Sequence, residues 1–400
     1  MKELKNGSVT SPLGFKANGL RCGLKRKNFD LALLYSIVPA QAAGVFTKNK
    51  IKAAPVRIDQ LHLRGKIAQA VVVNSGNANC CTGSRGEADA LAVATRAATL
   101  LDIPVKTVLV ASTGVIGKFL PVERILGHLA LLVSGLGFDR QDLAARAIMT
   151  TDSFAKQCAV EIDIGGRKVT IGAVAKGAGM ICPQMATMLC FITTDACIGS
   201  DSLQKALERA VDTSFNRISV DGEMSTNDTV IIMANGLALN RAIPAGGALF
   251  NRFVEALTFV SQELAKMIVV DGEGATKFLE IQINGAASAA DARRAGMQIA
   301  NSPLVKTMAA GENPNWGRIA ACVGASRARF DPQRLEISLQ GRTVYKQGSS
   351  RVRDLNDLLP LLKGEKKIQI GVHLHSGRYR DLVWTSDLTK EYVQINAEYN

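Results

Sequence analysis

Aromatic side chains are scarce in this chain: 2 Trp, 5 Tyr and 13 Phe among 400 residues. That leaves no platform on which bases could stack, the usual companion of a basic groove in nucleic-acid binding. The net charge of +13 is not gathered into a block. A solvated basic surface is expected, and nucleic acid is not an expected partner. Long apolar runs are missing too. None approaches the roughly 18–20 residues that cross a bilayer, and no apolar stretch follows Met1-Lys-Glu-Leu-Lys5 as a secretory leader requires. No membrane association is expected, and the location expected is cytoplasmic. The 8 cysteines form no C-x-x-C pair, and the 4 histidines do not fall near them at ligand spacing. Buried free thiols in a reducing compartment are expected, with no metal site. No repeat, low-complexity tract or Pro-rich linker interrupts the chain.

What is present is a globular pattern, 47% apolar and long enough for two or three domains. Lys66–Val73 reads as a buried strand that ends in a polar loop, Asn74-Ser-Gly-Asn-Ala-Asn79. Ser84 and Glu87 then read as a capping box opening a helix of about fifteen residues. Strand, loop and helix start in that order can turn backbone N–H groups toward a ligand. A second strand, Thr107–Val110, ends at Ala111-Ser-Thr-Gly-Val-Ile-Gly117. This is no phosphate loop, because Ser112 and Phe119 stand where that motif needs Gly and Ser or Thr. Residues 121–134 and 141–149 read as helices, followed by a turn at Thr150-Thr-Asp152. Val160–Ile164 and Lys168–Ala173 alternate about Gly165-Gly166, a hairpin signal.

Further on, Asp201 is placed to cap a helix whose Leu203, Leu207, Ala210 and Val211 share a face. A long helix over 245–267 stops at a turn holding Glu273 between two glycines. Strands follow at 279–283, 335–339, 343–346, 368–374 and 380–385. His373 and His375 lie opposite the apolar side of their strand, and neither is expected to be catalytic. Helices mixed with hairpins indicate an α+β layered fold, and neither a Rossmann wound sheet nor a TIM barrel.

The middle of the chain carries its chemistry. Lys176-Gly-Ala-Gly-Met180 leads through Pro183 to Thr187 and then to Met188-Leu-Cys-Phe-Ile192, a run expected to be a strand buried on both faces. A single strand threonine is ordinarily a packing residue. Scission between Ala186 and Thr187 would change its character by putting an α-amine beside its hydroxyl. Such an amine, with a pKa of about 7.7–8.0, serves as the general base for its own side chain.

Lys176-Gly-Ala-Gly-Met180 together with Met185-Ala-Thr-Met-Leu189 resembles the self-cleavage segment of the bifunctional ornithine acetyltransferase (glutamate N-acetyltransferase) family. Asn74–Asn79, Ser219–Thr229, Asn301–Lys306, Asn313–Ile319 and the tail Tyr392–Asn400 are similar to further signatures of it. The resemblance implies cleavage between Ala186 and Thr187 into an alpha chain, 1–186, and a beta chain, 187–400. It implies a layered α/β sandwich with mixed sheets, and that two of each chain assemble. Thr187 becomes the nucleophile, and Thr113 and Gly114 hold the oxyanion. Thr150, with Thr151 as its neighbour alternative, Lys176, Glu273 and Asn396 bind substrate. The implied reaction moves an acetyl group from N2-acetyl-L-ornithine to L-glutamate by double displacement, in arginine biosynthesis. No cofactor is implied, and the resemblance leaves open whether acetyl-CoA also serves as co-substrate. The family's terminal Ser or Thr beyond Asn396 has no counterpart after Asn400, so no contact from it is expected. Two other readings stay open at this point: a terminal-nucleophile amidase or aminopeptidase in which water replaces glutamate, and a basic binding protein without enzymatic activity.

Overall fold

The computed structural model describes residues 1–182 and 188–398. The chain forms two compact units. The first comprises Met1–Gly177, Gln184–Asn216 and Met224–Ile268, the second Ala178–Pro183, Arg217–Glu223 and Val269–Asn400. Both draw on sequence from either side of the Ala186–Thr187 bond. The expected chemical division there is therefore not a division into compact bodies.

In chain order the strands are β1 (Lys2–Glu3), β2 (Phe15–Leu20), β3 (Leu31–Phe46), β4 (Ile67–Asn77), β5 (Val108–Val115), β6 (Lys156–Ile164), β7 (Arg167–Lys176), β8 (Leu189–Thr194), β9 (Ile218–Ser219), β10 (Thr229–Ala234), β11 (Phe278–Ala286), β12 (Glu336–Leu339), β13 (Arg342–Lys346), β14 (Ser349–Ser350), β15 (Lys367–His373) and β16 (Tyr379–Ser386). The first unit holds one sheet in the order β1-β6-β7-β8-β10-β3-β4-β5, with β2 also paired to β3. β8 runs parallel to β10 and β4 to β5; the other pairings are antiparallel.

Side-chain alternation gives this sheet two apolar faces. Leu31, Leu33, Ala70, Val72, Val108 and Val110 point to one face, buried under the helices Gly83–Leu101 and Val122–Ser134. Ala32, Leu34, Val71, Val73, Leu109 and Ala111 point to the other, covered by Ala144, Ala145 and Ile148 of the helix Gln141–Ile148. A strand covered on both sides reads as a continuous apolar run, not an alternating one. β8 fits that rule, since every one of its residues is buried between β7 and β10.

The second unit has a sheet in the order β14-β13-β12-β15-β11-β16-β9. The helices Ala289–Ala300, Pro303–Ala310 and Gly317–Ala325 share a core with it: Ala292, Ile299, Val305, Met308 and Ile319 pack with Ile281, Ile283, Val372 and Val383. Ser288 and Ser302 cap the first two of these helices, accepting from the N–H of Asp291 and Val305. Each unit is thus a mixed sheet layered with helices, the α+β arrangement expected. Among the described residues no helix is long and apolar enough to cross a membrane.

Several local expectations are corrected. The Asn74–Asn79 stretch is not simply a loop, because β4 continues to Asn77. No capping box forms at Ser84 and Glu87: the helix begins at Gly83, and the hydroxyl of the capping residue, Thr82, donates to Asn79 Oδ1 at 2.8 Å. Glu87 pairs with Arg57 instead, at 3.1 Å. Asp201 caps nothing either. Its carboxylate accepts from Lys66 Nζ at 2.6 Å, behind a helix entered through Gly199. In both cases a tertiary partner outcompetes the local one. The hairpin is as expected, with Gly165 at φ +63° and Gly166 at φ +83°.

Candidate active site

Lys176 is the last residue of β7, not part of the turn that follows, and pairs with Leu189 at the start of β8. Its side chain is only 3% exposed. The ammonium donates to Thr150 Oγ1 at 2.7 Å and reaches Thr113 Oγ1 at 3.5 Å. Asp152 Oδ2 lies 3.7 Å away. Asp152 Oδ1 accepts from Lys156 Nζ and from the Gly177 N–H, both at 2.7 Å, and Oδ2 accepts from the Thr150 N–H at 2.9 Å. Burial alone would raise its pKa, but Lys176, Lys156 and these hydrogen bonds outweigh it and hold the carboxyl well below the usual range. A fixed carboxylate therefore clamps the turn at Thr150 and the backbone just after Lys176. A cavity of about 400 Å³ adjoins Thr150 and Asp152, with Lys25, Arg146 and Phe29 in its wall. A larger hollow, about 580 Å³ near Cys197 and Asn235, is lined by none of the expected site residues.

Thr113 and Gly114 sit near the end of β5, opposite Ser75 and Gly76 of β4. Gly114 has φ +128°, and a Cβ there would come within 2.4 Å of the Gly76 carbonyl carbon. Only glycine fits. The polar stretch beside it is a brace. Ser112 Oγ donates to Asn74 Oδ1 at 2.6 Å, Asn74 Nδ2 to Asn77 O at 2.9 Å, and Asn77 Nδ2 to Lys118 O and Phe119 O, each at 3.2 Å. The backbone carrying Thr113 is held from both flanks.

In the second unit, Glu273 occupies the turn after the helix Gly247–Val270, and its N–H donates to Ala178 O at 2.9 Å. Asn396 lies on the helix Lys390–Glu398 and donates to Glu273 Oε2 at 2.8 Å. Tyr392 of the same helix donates to Asp221 Oδ2 at 3.3 Å. A Cβ on Gly179 would come within 2.4 Å of the Glu273 carboxyl carbon, so a larger residue there would push that carboxylate aside.

The sequence matches one family along nearly its whole length. The ArgJ family model matches residues 16–400. A relative from Listeria monocytogenes serotype 4b (strain F2365), named arginine biosynthesis bifunctional protein ArgJ, is 47% identical over 399 residues, 99% of each chain. A protein of the same name from Geobacter sulfurreducens is 48% identical over 393 residues, 96% of this chain and 98% of its own. A crystal structure of ornithine acetyltransferase complexed with ornithine, from Mycobacterium tuberculosis, is 40% identical and covers 46% of this chain and 97% of that one, at a TM-score of 0.43.

This chain belongs to the ArgJ family. It is accordingly an enzyme, an acyltransferase of arginine biosynthesis. Of the expected site residues in this ArgJ-family chain, Thr113, Thr150 and Lys176 meet at one ammonium, and Gly114 adjoins them on β5. Glu273 and Asn396 meet in the second unit. Ala186 and Thr187 lie outside the described residues. The residue after them, Met188, donates its N–H to Asp228 Oδ1 at 3.1 Å. Sequence reasoning missed Asp152 and also Asp228, whose Oδ1 accepts from the Met188 N–H. The sequence marks Asp152 only as part of a turn, although its place two residues after Thr150 is a signal. Asp228 stands inside Ser219–Thr229, a segment to which the resemblance assigns no residue role.

Proposed function

We propose that this chain transfers the acetyl group of N2-acetyl-L-ornithine to L-glutamate through an acetyl ester on Thr187, after scission of its own Ala186–Thr187 bond. Thr187 Oγ attacks the acetyl carbonyl and passes its proton to its own α-amine. The tetrahedral oxyanion is held by the Thr113 hydroxyl and the Gly114 N–H. Collapse breaks the amide C–N bond, and the proton moves from the α-amine to the departing ornithine nitrogen. Glutamate then attacks the ester through its neutral amine. Its C–N bond forms, the Thr187 oxygen leaves, and the proton returns to that oxygen. Lys176 and Thr150 bind the substrate's polar end, and Glu273 and Asn396 its ammonium. One amide replaces another, so no redox or metal cofactor is called for.

The observation that carries this reading is the meeting of Thr113, Thr150 and Lys176 at a single buried ammonium, on a strand paired to the residues that follow Thr187. Family membership along nearly the whole chain supports it. The assembly we propose is two alpha and two beta chains.

Intact mass and N-terminal sequencing test the reading first. Fragments 1–186 and 187–400, with Thr187 heading the second, are expected, along with an uncleaved Thr187→Ala chain. Initial rates should then give parallel lines when both substrates vary. A wild-type chain that stays whole, or intersecting lines, would refute the mechanism. Supplying acetyl-CoA and glutamate without N-acetylornithine decides whether there is a second donor.

A further inference from the structure

Asn227 and Asp228 immediately precede β10 and are both buried. Asn227 Nδ2 donates to two carbonyls, Ala78 O at 2.7 Å and Ser112 O at 2.8 Å. Two acceptors at one atom fix the orientation of the amide, since only its NH2 group can serve both. Its Oδ1 accepts from Thr226 Oγ1 at 2.6 Å, which completes the set. The Ser112 carbonyl belongs to the peptide bond that enters Thr113. Asp228 Oδ1 accepts from the Met188 N–H, which belongs to the peptide bond that leaves Thr187. Its backbone carbonyl accepts from the Thr47 N–H at 3.0 Å, so the dipeptide is anchored on that side as well. β10 pairs in parallel with β8 from Thr229 and Leu189 onward, which places Asp228 beside Met188.

We propose that the Asn227-Asp228 dipeptide is a positioning element that sets the separation of nucleophile and oxyanion donors, Asn227 fixing the backbone that enters Thr113 and Asp228 the backbone that leaves Thr187. The inference rests on the proposed function above. Catalysis by proximity tolerates little error, and a misplacement of about 1 Å costs on the order of 100-fold in rate. Two adjacent residues at the entry to β10 provide a short link between the Ser112 carbonyl on β5 and the Met188 N–H just ahead of β8. Asp228 is fully buried. Burial holds this carboxyl well above the usual carboxylate range. Asp228 Oδ1 serves as a hydrogen-bond acceptor for the Met188 N–H, and an amide of the same shape can take over that role.

The test compares Asn227→Ala, Asp228→Ala and Asp228→Asn with wild type in cleavage, in steady-state transfer from N-acetylornithine to glutamate, and in melting. Both Ala variants should lose kcat on the order of 100-fold, with KM for N-acetylornithine within about twofold of wild type, and should cleave slowly. Asp228→Asn should recover most of the lost kcat. Thr113→Val should cost less in the Asn227→Ala background than in wild type, because the donor it removes is already misplaced. If Asn227→Ala does not fold, Asn227→Gln, which keeps both donors but displaces them, carries the same expectation. Wild-type kcat in the Asn227 variant, equal damage from Asp228→Asn and Asp228→Ala, or full additivity with Thr113→Val would overturn the positioning role. A transfer-active Thr187→Ala enzyme would overturn the proposed reaction itself, a separate outcome.

Discussion

Asn396 Nδ2 donates to Glu273 Oε2 at 2.8 Å, so the last helix of the chain is tied to the turn that follows the helix Gly247–Val270. The same nitrogen also donates to Tyr392 O at 3.0 Å within its own helix. The amide is thereby held in one orientation, and the carboxylate keeps Oε1 for another donor. A substrate ammonium is such a donor. Glu273→Gln is expected to raise KM for N-acetylornithine about tenfold or more, the scale of a lost charge-assisted hydrogen bond. Asn396→Ala should raise it less. The double variant should lose less than the two single effects combined, because the residues share one bond. Steady-state kinetics on the three proteins measure this, and independent effects would mean that the bond is incidental.

Asp152 lies between two buried ammoniums, those of Lys156 and Lys176. Asp152→Asn would leave both without their shared carboxylate, a loss expected to cost about 3–5 kcal/mol. The acid behaviour follows from the sign of the shift. The folded-state pKa is depressed, so the stabilisation is complete above the unfolded value of about 3.9 and is lost progressively as pH falls below it. Urea denaturation at pH 7 and at pH 3.5 should bring wild type and Asp152→Asn closer together at the lower pH. An unchanged gap would contradict the assignment.

Parts of this arrangement were legible in the sequence because their causes are local. The Gly165-Gly166 turn dictates its hairpin, and the Met188–Ile192 run reports a strand covered on both faces. The long strand β3 was not legible: Pro39, Gln41 and Gly44 break its apolar pattern, and only the pairing with β2, β4 and β10 holds it extended. Asp201 and Ser84 looked like helix caps, yet Asp201 is claimed by Lys66, and Ser84 falls inside a helix that starts at Gly83. Lys176 and Thr150 could be named as site residues by resemblance alone. That they bond to each other, with Asp152 beneath them, depends on the meeting of β7 with the turn after the helix Gln141–Ile148. No periodicity encodes that meeting.

Lys306 is buried in the second unit, donating to Thr385 Oγ1 at 2.9 Å, to Ser386 Oγ at 3.3 Å and to the Ser386 carbonyl. Burial lowers its pKa to about 7, against the opposing pull of Asp387 and Asp221. The unfolded chain keeps this proton up to about pH 10.4. Between those values the unfolded state binds more protons, so this group makes stability rise with pH, by at most about 1.4 kcal/mol per unit. Lys306→Met should flatten the slope between pH 7 and 9 in chemical denaturation. A slope identical to wild type would place the lysine's proton elsewhere.

Thr113 and Gly114 separate two kinds of failure at one site. Thr113→Val keeps the branched shape that packs in β5 and removes only the hydroxyl. If that hydroxyl donates to the oxyanion, kcat falls on the order of 100-fold while KM barely moves, because the bond matters only once charge has developed. Thr113→Ser should retain most of the activity. Gly114→Ala fails differently: its Cβ would lie 2.4 Å from the Gly76 carbonyl carbon, on a backbone at φ +128°. Strain of that kind shifts β5 away from β4 and is expected to cost more than about 2 kcal/mol of stability along with the activity. Melting curves beside kcat and KM distinguish the two variants. A Thr113→Val enzyme with raised KM and normal kcat would make Thr113 a ground-state binding residue, and the oxyanion would then need another side-chain donor beside the Gly114 N–H.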